Sequence, residues 1–274
     1  MSQVFTGRTV FILGVGSDIG RSLAGDFLRQ GARVIGTYRT KSSVSELQQQ
    51  ADLTLFECDV ASPESVANTV RDFAALGQPW DVFVSCVGVL DPIGRFFSLH
   101  FATWEESVRV NSLAQLSVLH ALQPHRQTGG INHAIFFAGG GTNSPFRNYS
   151  AYCLGKLMLI KMCELLDDED PALNAVILGT GWVNTKIHRQ TLRDANAAEA
   201  NHARTREFLE RAESGTSMAD IFGCIEWCVR NGRDLVGGRN FSIVHDAWRN
   251  GGPELLARLR ADSNHYKLRR HGNG

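Results

Sequence analysis

The sequence predicts a doubly wound α/β fold, a seven-stranded parallel sheet with helices on both faces. Three observations carry this expectation. Short apolar runs alternate with longer amphipathic stretches through residue 178. A glycine turn separates the first run from the first helical pattern. Tyr152 and Lys156 stand four residues apart, on one face of a later helix.

The elements follow in order. Residues 9–13 are β-branched and aromatic and read as a buried strand. Gly14-Val15-Gly16-Ser17-Asp18-Ile19-Gly20 is the turn, followed by a helix over 21–30 and a second strand over 32–37. This is the opening of a dinucleotide-binding unit. Gly14 makes the tight turn, Gly20 lets the helix pack close to the sheet, and N–H groups at the helix start meet a pyrophosphate. A polar helix over 42–50 and a strand over 53–57 come next. Ser62-Pro63 caps and starts a helix running to about residue 76. A fourth strand over 80–85, a long helix over 103–126 containing Asn111, and a fifth strand over 133–137 follow. The Tyr-Lys helix spans 150–168 and the sixth strand 173–178. Residues 186–213 are polar and mostly helical in pattern, placed where a lid would cover the strand ends. A helix over 217–230 and a last strand over 240–244 complete one domain across 1–274, with 260–274 expected as a flexible tail.

Composition bounds the function. The 274 residues are 43% hydrophobic and 20% charged, ordinary for a soluble globule, and Lys plus Arg balances Asp plus Glu at 28 each. That balance gives no bulk attraction to nucleic acid or anionic membrane. No run reaches bilayer-spanning length and the start lacks a signal-peptide layout, so a cytoplasmic protein is expected. The six cysteines, at 58, 86, 153, 163, 224 and 228, read as reduced thiols, and no metal site is expected.

Together these stretches resemble the short-chain dehydrogenase/reductase family, whose fold is of the Rossmann type. Its Thr-Gly-x-x-x-Gly-Ile-Gly motif corresponds to Leu13, Gly14, Asp18, Ile19 and Gly20. Its Asn-Asn-Ala-Gly corresponds to Ser85-Cys86-Val87-Gly88, with only the glycine kept. Asp59 with Val60, Asn111, Tyr152, Lys156, and Gly181, Val183 and Thr185 of the Thr180–Thr185 stretch match further family positions. The resemblance implies that Gly14, Ser17, Asp18, Ile19, Gly20, Asp59, Val60, Gly88, Gly181, Val183 and Thr185 bind the cofactor. It also implies a Tyr152 acid/base, with Lys156 lowering its pKa and binding the nicotinamide ribose, and Asn111 holding a relay water. A homo-oligomer, tetramer before dimer, is implied as well. Tyr38 stands where an aspartate would select NAD, and Arg39 favours NADP.

One departure is serious. The family's substrate-binding serine falls at Ala138-Gly139, neither of which carries a polar side chain. Thr142, then Ser144, then a glycine N–H are the candidate replacements. Leu90, Asn143, Ser144, Trp182 and His188 are the expected substrate contacts. The expected activity is NADP(H)-dependent interconversion of a carbonyl and a secondary alcohol on a small or medium-sized substrate. Epimerase, dehydratase or enoyl reductase chemistry, or dinucleotide binding with little catalysis, are the alternatives.

Overall fold

The computed structural model describes residues 4–47, 50–211 and 215–270. Its strands are β1 (Thr9–Leu13), β2 (Arg33–Tyr38), β3 (Leu53–Glu57), β4 (Val82–Ser85), β5 (Asn132–Ala138), β6 (Leu173–Gly179) and β7 (Asn240–Ser242). They form one parallel sheet in the order β3-β2-β1-β4-β5-β6-β7. The strand expectations hold, with ends shifted by one or two residues.

Period-two alternation sends each strand's side chains into two cores. Val10, Ile12, Val82, Val84, Ile135, Phe137, Val176 and Leu178 face one side. There they meet α1 (Asp18–Arg29) through Leu23 and Phe27, and α9 (Met218–Asn231) through Ile221, Phe222 and Ile225. Phe11, Leu13, Phe83, Ala134, Phe136 and Ile177 face the other. There they meet α2 (Pro63–Ala75), α4 (Leu113–Leu122) and α5 (Ser150–Glu169). Two buried faces explain why the strands read as continuous apolar runs rather than alternating ones.

Two expectations are corrected. The long helix over 103–126 is two helices, α3 (Phe101–Asn111) and α4, because Ser112 leaves helical geometry at φ −143°, ψ −81°. The polar helix over 42–50 is a 3₁₀ segment, Lys41–Leu47, and residues 48–49 lie outside the described ones. On α5, Leu159 and Ile160 are buried in the protein's own core, whereas Leu154, Met158 and Leu165 are exposed, as is Leu113 of α4. The lid stretch folds as α6 (His188–Leu192), α7 (Ala195–Ala198) and α8 (Ala200–Glu210), with 212–214 outside the described residues. Beyond α9 come α10 (Arg233–Val236) and α11 (Pro253–Ala261). After α11 the chain lies along β7. Asn240 N–H donates to Tyr266 O at 3.0 Å, and Arg239 donates to Asp262 O and His265 O. Of the expected tail, 271–274 lie outside the described residues.

His133, near the start of β5, is buried and accepts from Asn174 Nδ2 at 3.0 Å in its matching tautomer. Burial lowers its pKa from 6.5 to about 4. The unfolded chain then binds a proton that the folded one refuses. This stability term is fully present above about pH 6.5 and is lost as pH falls toward about 4. Denaturant unfolding at pH 7 and pH 4.5 should show the wild type losing more stability than His133→Gln, by up to about 3 kcal/mol.

Candidate active site

The turn after β1 is built for close approach. Gly14 has φ +89°, where only glycine is unstrained. Its N–H donates to Thr37 Oγ1 at 3.0 Å. A Cβ on Gly20 would stand 2.4 Å from Gly14 O, so this glycine lets α1 start directly beneath the turn. Ser17 is the N-cap, accepting from Gly20 N–H at 3.0 Å. Asp18 does not cap. Its carboxylate accepts from Lys186 N–H at 2.6 Å, and Lys186 Nζ donates to Gly16 O at 2.6 Å. The segment after β6 is thereby strapped across the turn.

This crevice lies where strand order reverses, between β1 and β4, the ordinary place for a dinucleotide in a doubly wound sheet. The residues present fit that group. Gly14 and Gly20 let the turn close directly on the N-terminus of α1, whose N–H groups attract a phosphate. At Gly88 an added Cβ would find nothing nearer than Lys156 Nζ at 3.7 Å. Arg39 and Lys41, just past β2, are exposed and have no partner among the described residues. Asp59 is turned locally, accepting from Ala61 N–H at 3.0 Å.

Tyr152 and Lys156 occupy the first two turns of α5. Asn111 reaches them because α5 and α3 almost touch. A Cβ on Gly155 would lie 2.5 Å from Asn111 Cβ and 3.3 Å from Val108 O. Asn111 Nδ2 donates to Val89 O at 2.8 Å and Ser107 O at 3.0 Å, and its Oδ1 accepts from Val89 N–H at 3.0 Å. Lys156 Nζ donates to Val87 O at 3.2 Å and stands 5.8 Å from the Tyr152 ring centre. The expectation that Lys156 lowers the Tyr152 pKa is not met in this arrangement. Burial raises the phenol above its ordinary value, with Cys153 adding to the rise, and burial lowers Lys156 to about 8, with Cys86 pulling the other way.

The glycine loop after β5 packs tightly on side chains of α5 and of the loop before it. A Cβ on Gly139 would lie 1.9 Å from the Tyr152 hydroxyl, on Gly140 3.2 Å from Phe146, and on Gly141 2.3 Å from Cys153 Sγ. Each glycine presses its bare Cα on a side chain below. The volume of a side chain at 139 is taken by the Tyr152 hydroxyl, which has no hydrogen-bond partner among the described residues. Thr142 is half-buried and Asn143 and Ser144 are exposed, all three without side-chain hydrogen bonds.

Tyr152 shares an apolar cluster with Leu90 and Tyr149, packed by Ile93, Phe146, Cys153 and Ile187. Phe146 stacks on Tyr149 with ring centres 4.2 Å apart. The lid is tied to both walls of this cluster. Gln190 Oε1 accepts from Leu90 N–H at 2.5 Å and Asp91 N–H at 3.2 Å, and Arg193 pairs with Asp91. Tyr149 and Thr191 hydroxyls meet at 2.9 Å, and Glu199 bridges Arg95 at 3.0 Å and Arg147 at 3.8 Å. Two expected substrate contacts lie elsewhere. His188 stacks on Trp182 at 5.4 Å and gives its Nε2 to Val183 O at 2.9 Å. Trp182 lines a separate cavity of about 590 Å³ with Phe208, Arg204 and Val244.

A family model described as enoyl-(acyl carrier protein) reductase matches residues 14–220. The chain belongs to this family, within the short-chain dehydrogenase/reductases. An uncharacterized oxidoreductase of Schizosaccharomyces pombe is 24% identical over 240 residues, covering 85% of this chain and 94% of its own. A short-chain dehydrogenase/reductase structure from Saccharomyces cerevisiae superposes with TM-score 0.79 at 18% identity, covering 90% of this chain and 100% of that one. A Shigella flexneri short-chain dehydrogenase complexed with NADP gives TM-score 0.72 at 18% identity, covering 89% and 99%.

Within a family of NAD(P)-dependent oxidoreductases, three substitutions here stand at the centre of the site: Asp18, Cys86 and Gly139. Burial pushes the Cys86 thiol up to about 12, with Lys156 pulling the other way, so it stays a neutral thiol. Sequence reading missed Gly155, Gln115 and Gln190. Gln115 is fully buried, accepts from Ser85 Oγ at 2.6 Å and donates to Val110 O at 3.1 Å, bridging β4 to the helix break. Its place one turn beyond Asn111 was the available signal. Gly139→Ala should displace the Tyr152 hydroxyl and cut turnover by about 10²-fold, with the folded state checked by circular dichroism.

Proposed function

We propose that the chain is an NADP(H)-dependent oxidoreductase interconverting a carbonyl and a secondary alcohol on a small or medium-sized substrate. The observation that carries this reading is Tyr152, its hydroxyl without a hydrogen-bond partner among the described residues, one helical turn from Lys156, whose ammonium faces Gly88. The nicotinamide cofactor, when bound, supplies or accepts the hydride. Tyr152 gives its proton to the substrate oxygen in reduction and takes it back in oxidation. Lys156 holds the ribose hydroxyls and, once charged, favours the phenolate that proton transfer leaves behind. Asn111, fixed through Val89 and Ser107, is the station for a relay water. Gly14, Ser17, Ile19, Gly20, Asp59, Val60, Gly181, Val183 and Thr185 form the remaining cradle, with Asp18 and Lys186 clasping it. Leu90 and the Phe146–Tyr149 stack form the substrate wall. Thr142, Asn143 and Ser144 stand at its rim.

The side-chain-free position at Gly139 favours a second reading, enoyl reduction, in line with the description of the matching family model. Parallel assays with a ketone and an enoyl thioester separate the two. Tyr152→Phe keeps the ring and removes the proton donor, so turnover should fall at least 10²-fold with little change in cofactor affinity. Near-normal turnover would end the acid/base assignment.

Exposed Arg39 and Lys41 support NADP over NAD, since a planar guanidinium pairs with a 2′-phosphate. Arg39→Ala should weaken NADP binding about tenfold and leave NAD nearly unchanged in calorimetry. The exposed stripe of Leu154, Met158 and Leu165 on α5 supports a homo-oligomer, dimer or tetramer. Light scattering at micromolar concentration should give a multiple of the 30.2 kDa chain mass.

A further inference from the structure

The cavity beside Trp182 has no part in the carbonyl reductase reading. Its volume of about 590 Å³ falls within the roughly 300–1,000 Å³ of small-molecule sites. None of its lining residues belongs to the apolar cluster around Tyr152. One face of α8 lines it. Arg204, Glu207, Phe208 and the C-cap Arg211 follow the i, i+3, i+4, i+7 spacing that aligns side chains on a helix. Asp220, in the first turn of α9, and Val244 and Arg249, beyond β7, line it as well. Its apolar surface is Trp182, Phe208 and Val244. Trp182 touches Phe208 at 4.9 Å and stacks on His188 at 5.4 Å, yet it stays 39% exposed, and Val244 is 46% exposed. The indole is carried by an anchored peptide. Trp182 O accepts from Thr216 N–H at 2.7 Å, and a Cβ on Gly215 would stand 2.5 Å from that oxygen. The lining holds three arginines and a histidine against two carboxylates. Arg211 pairs with Glu207, and Arg249 with Asp220 at 3.2 Å. Exposed Arg204 has no partner among the described residues. One guanidinium is thus left over beside an open aromatic surface.

We propose that this cavity is a second ligand site, for a flat aromatic carboxylate whose ring lies on Trp182 and Phe208 and whose carboxylate pairs with Arg204. A planar guanidinium matches a carboxylate in geometry and charge, and offset stacking on the two rings holds the apolar body. The site reaches the catalytic cluster through one residue. His188, stacked on Trp182, is the first residue of α6, whose Gln190 and Thr191 hold Leu90 and Tyr149. A ligand that joins α8 to Trp182 ties the segment from α6 to α8 to the strand ends. Occupancy therefore favours the closed arrangement, in which the contacts to both rings coexist.

The probe is 2-naphthoate, titrated by calorimetry into the full chain with and without NADP, and neutral 2-naphthamide is the matched control. Naphthoate should bind saturably at a single site, and naphthamide at least about fivefold more weakly, since only the acid makes a charge-assisted pair. Arg204→Glu should weaken naphthoate at least about tenfold and change naphthamide by less than about twofold. Val244→Trp fills the cavity from an exposed position and should abolish binding of both. Both positions are exposed, so both variants should keep the wild-type circular dichroism. With naphthoate bound, amide hydrogen exchange across residues 188–210 should slow at least about threefold. No binding of naphthoate up to about 10 mM overturns the inference. So does binding that both variants retain, equal affinity for acid and amide, or weaker binding when NADP is present, the sign of a shared site. A second copy of the chain seated in the cavity would also overturn it, and would show as a smaller mass for Val244→Trp in light scattering with no naphthoate binding to the wild type. Binding without slower exchange overturns the link to α6.

Discussion

The near-contact of α5 with α3 at Gly155 is the constraint on which the site depends. Helix axes usually keep 8–10 Å apart because side chains fill the space between them. Without a Cβ at 155, the Asn111 side chain sits directly against the α5 backbone. That contact fixes the rotation of α5 about its axis, and with it where Tyr152 and Lys156 project. Asn111 then passes the constraint to the loop after β4 through its paired bonds with Val89. Lys156 completes the circuit on Val87 O. Three side chains from two helices are thus registered against one loop by three peptide groups and one missing methyl.

Burial dominates the electrostatics of this circuit. A phenol and an ammonium on adjacent turns stabilise each other's charge in an open, wet groove. Here both are almost wholly enclosed, and each is driven toward its neutral form. Cys86, a neutral thiol, lies beside them. A bound dinucleotide brings phosphates and a positively charged ring when oxidised, so the charge states of the pair belong to the complex.

Much of this was legible in the sequence because the strands are buried on both faces. Runs such as Thr9–Leu13 and Leu173–Gly179 stand out against polar surroundings. The tyrosine–lysine spacing and Gly14 were legible for the same reason, being local patterns. What escaped was non-local. The break at Ser112 follows from Gln115 and Asn111 bonding to peptide groups of the loop after β4 and of α3, which no helical propensity reveals. His188 and Trp182 were assigned to the substrate by position, yet they pack on Phe208, a residue of α8. Gly139 read as a plain deletion of a hydroxyl. Only the coordinates of Tyr152 reveal that the vacated volume has a new tenant.

The segment from α6 to α8 joins the same walls that shape the cluster of Leu90, Tyr149 and Tyr152. Gln190 and Arg193 hold the loop of Leu90 and Asp91, while Thr191 holds Tyr149 and Glu199 holds Arg147. A covering segment tied to nothing in the pocket wall would leave pocket shape and opening rate free to vary independently. In this chain one set of residues sets both. A substitution that enlarges the pocket at Leu90 or Tyr149 also loosens a latch, so selection for a new substrate drags the speed of product escape along with it. Evolution of this site must therefore proceed by paired changes across the latch rather than by single replacements in the wall.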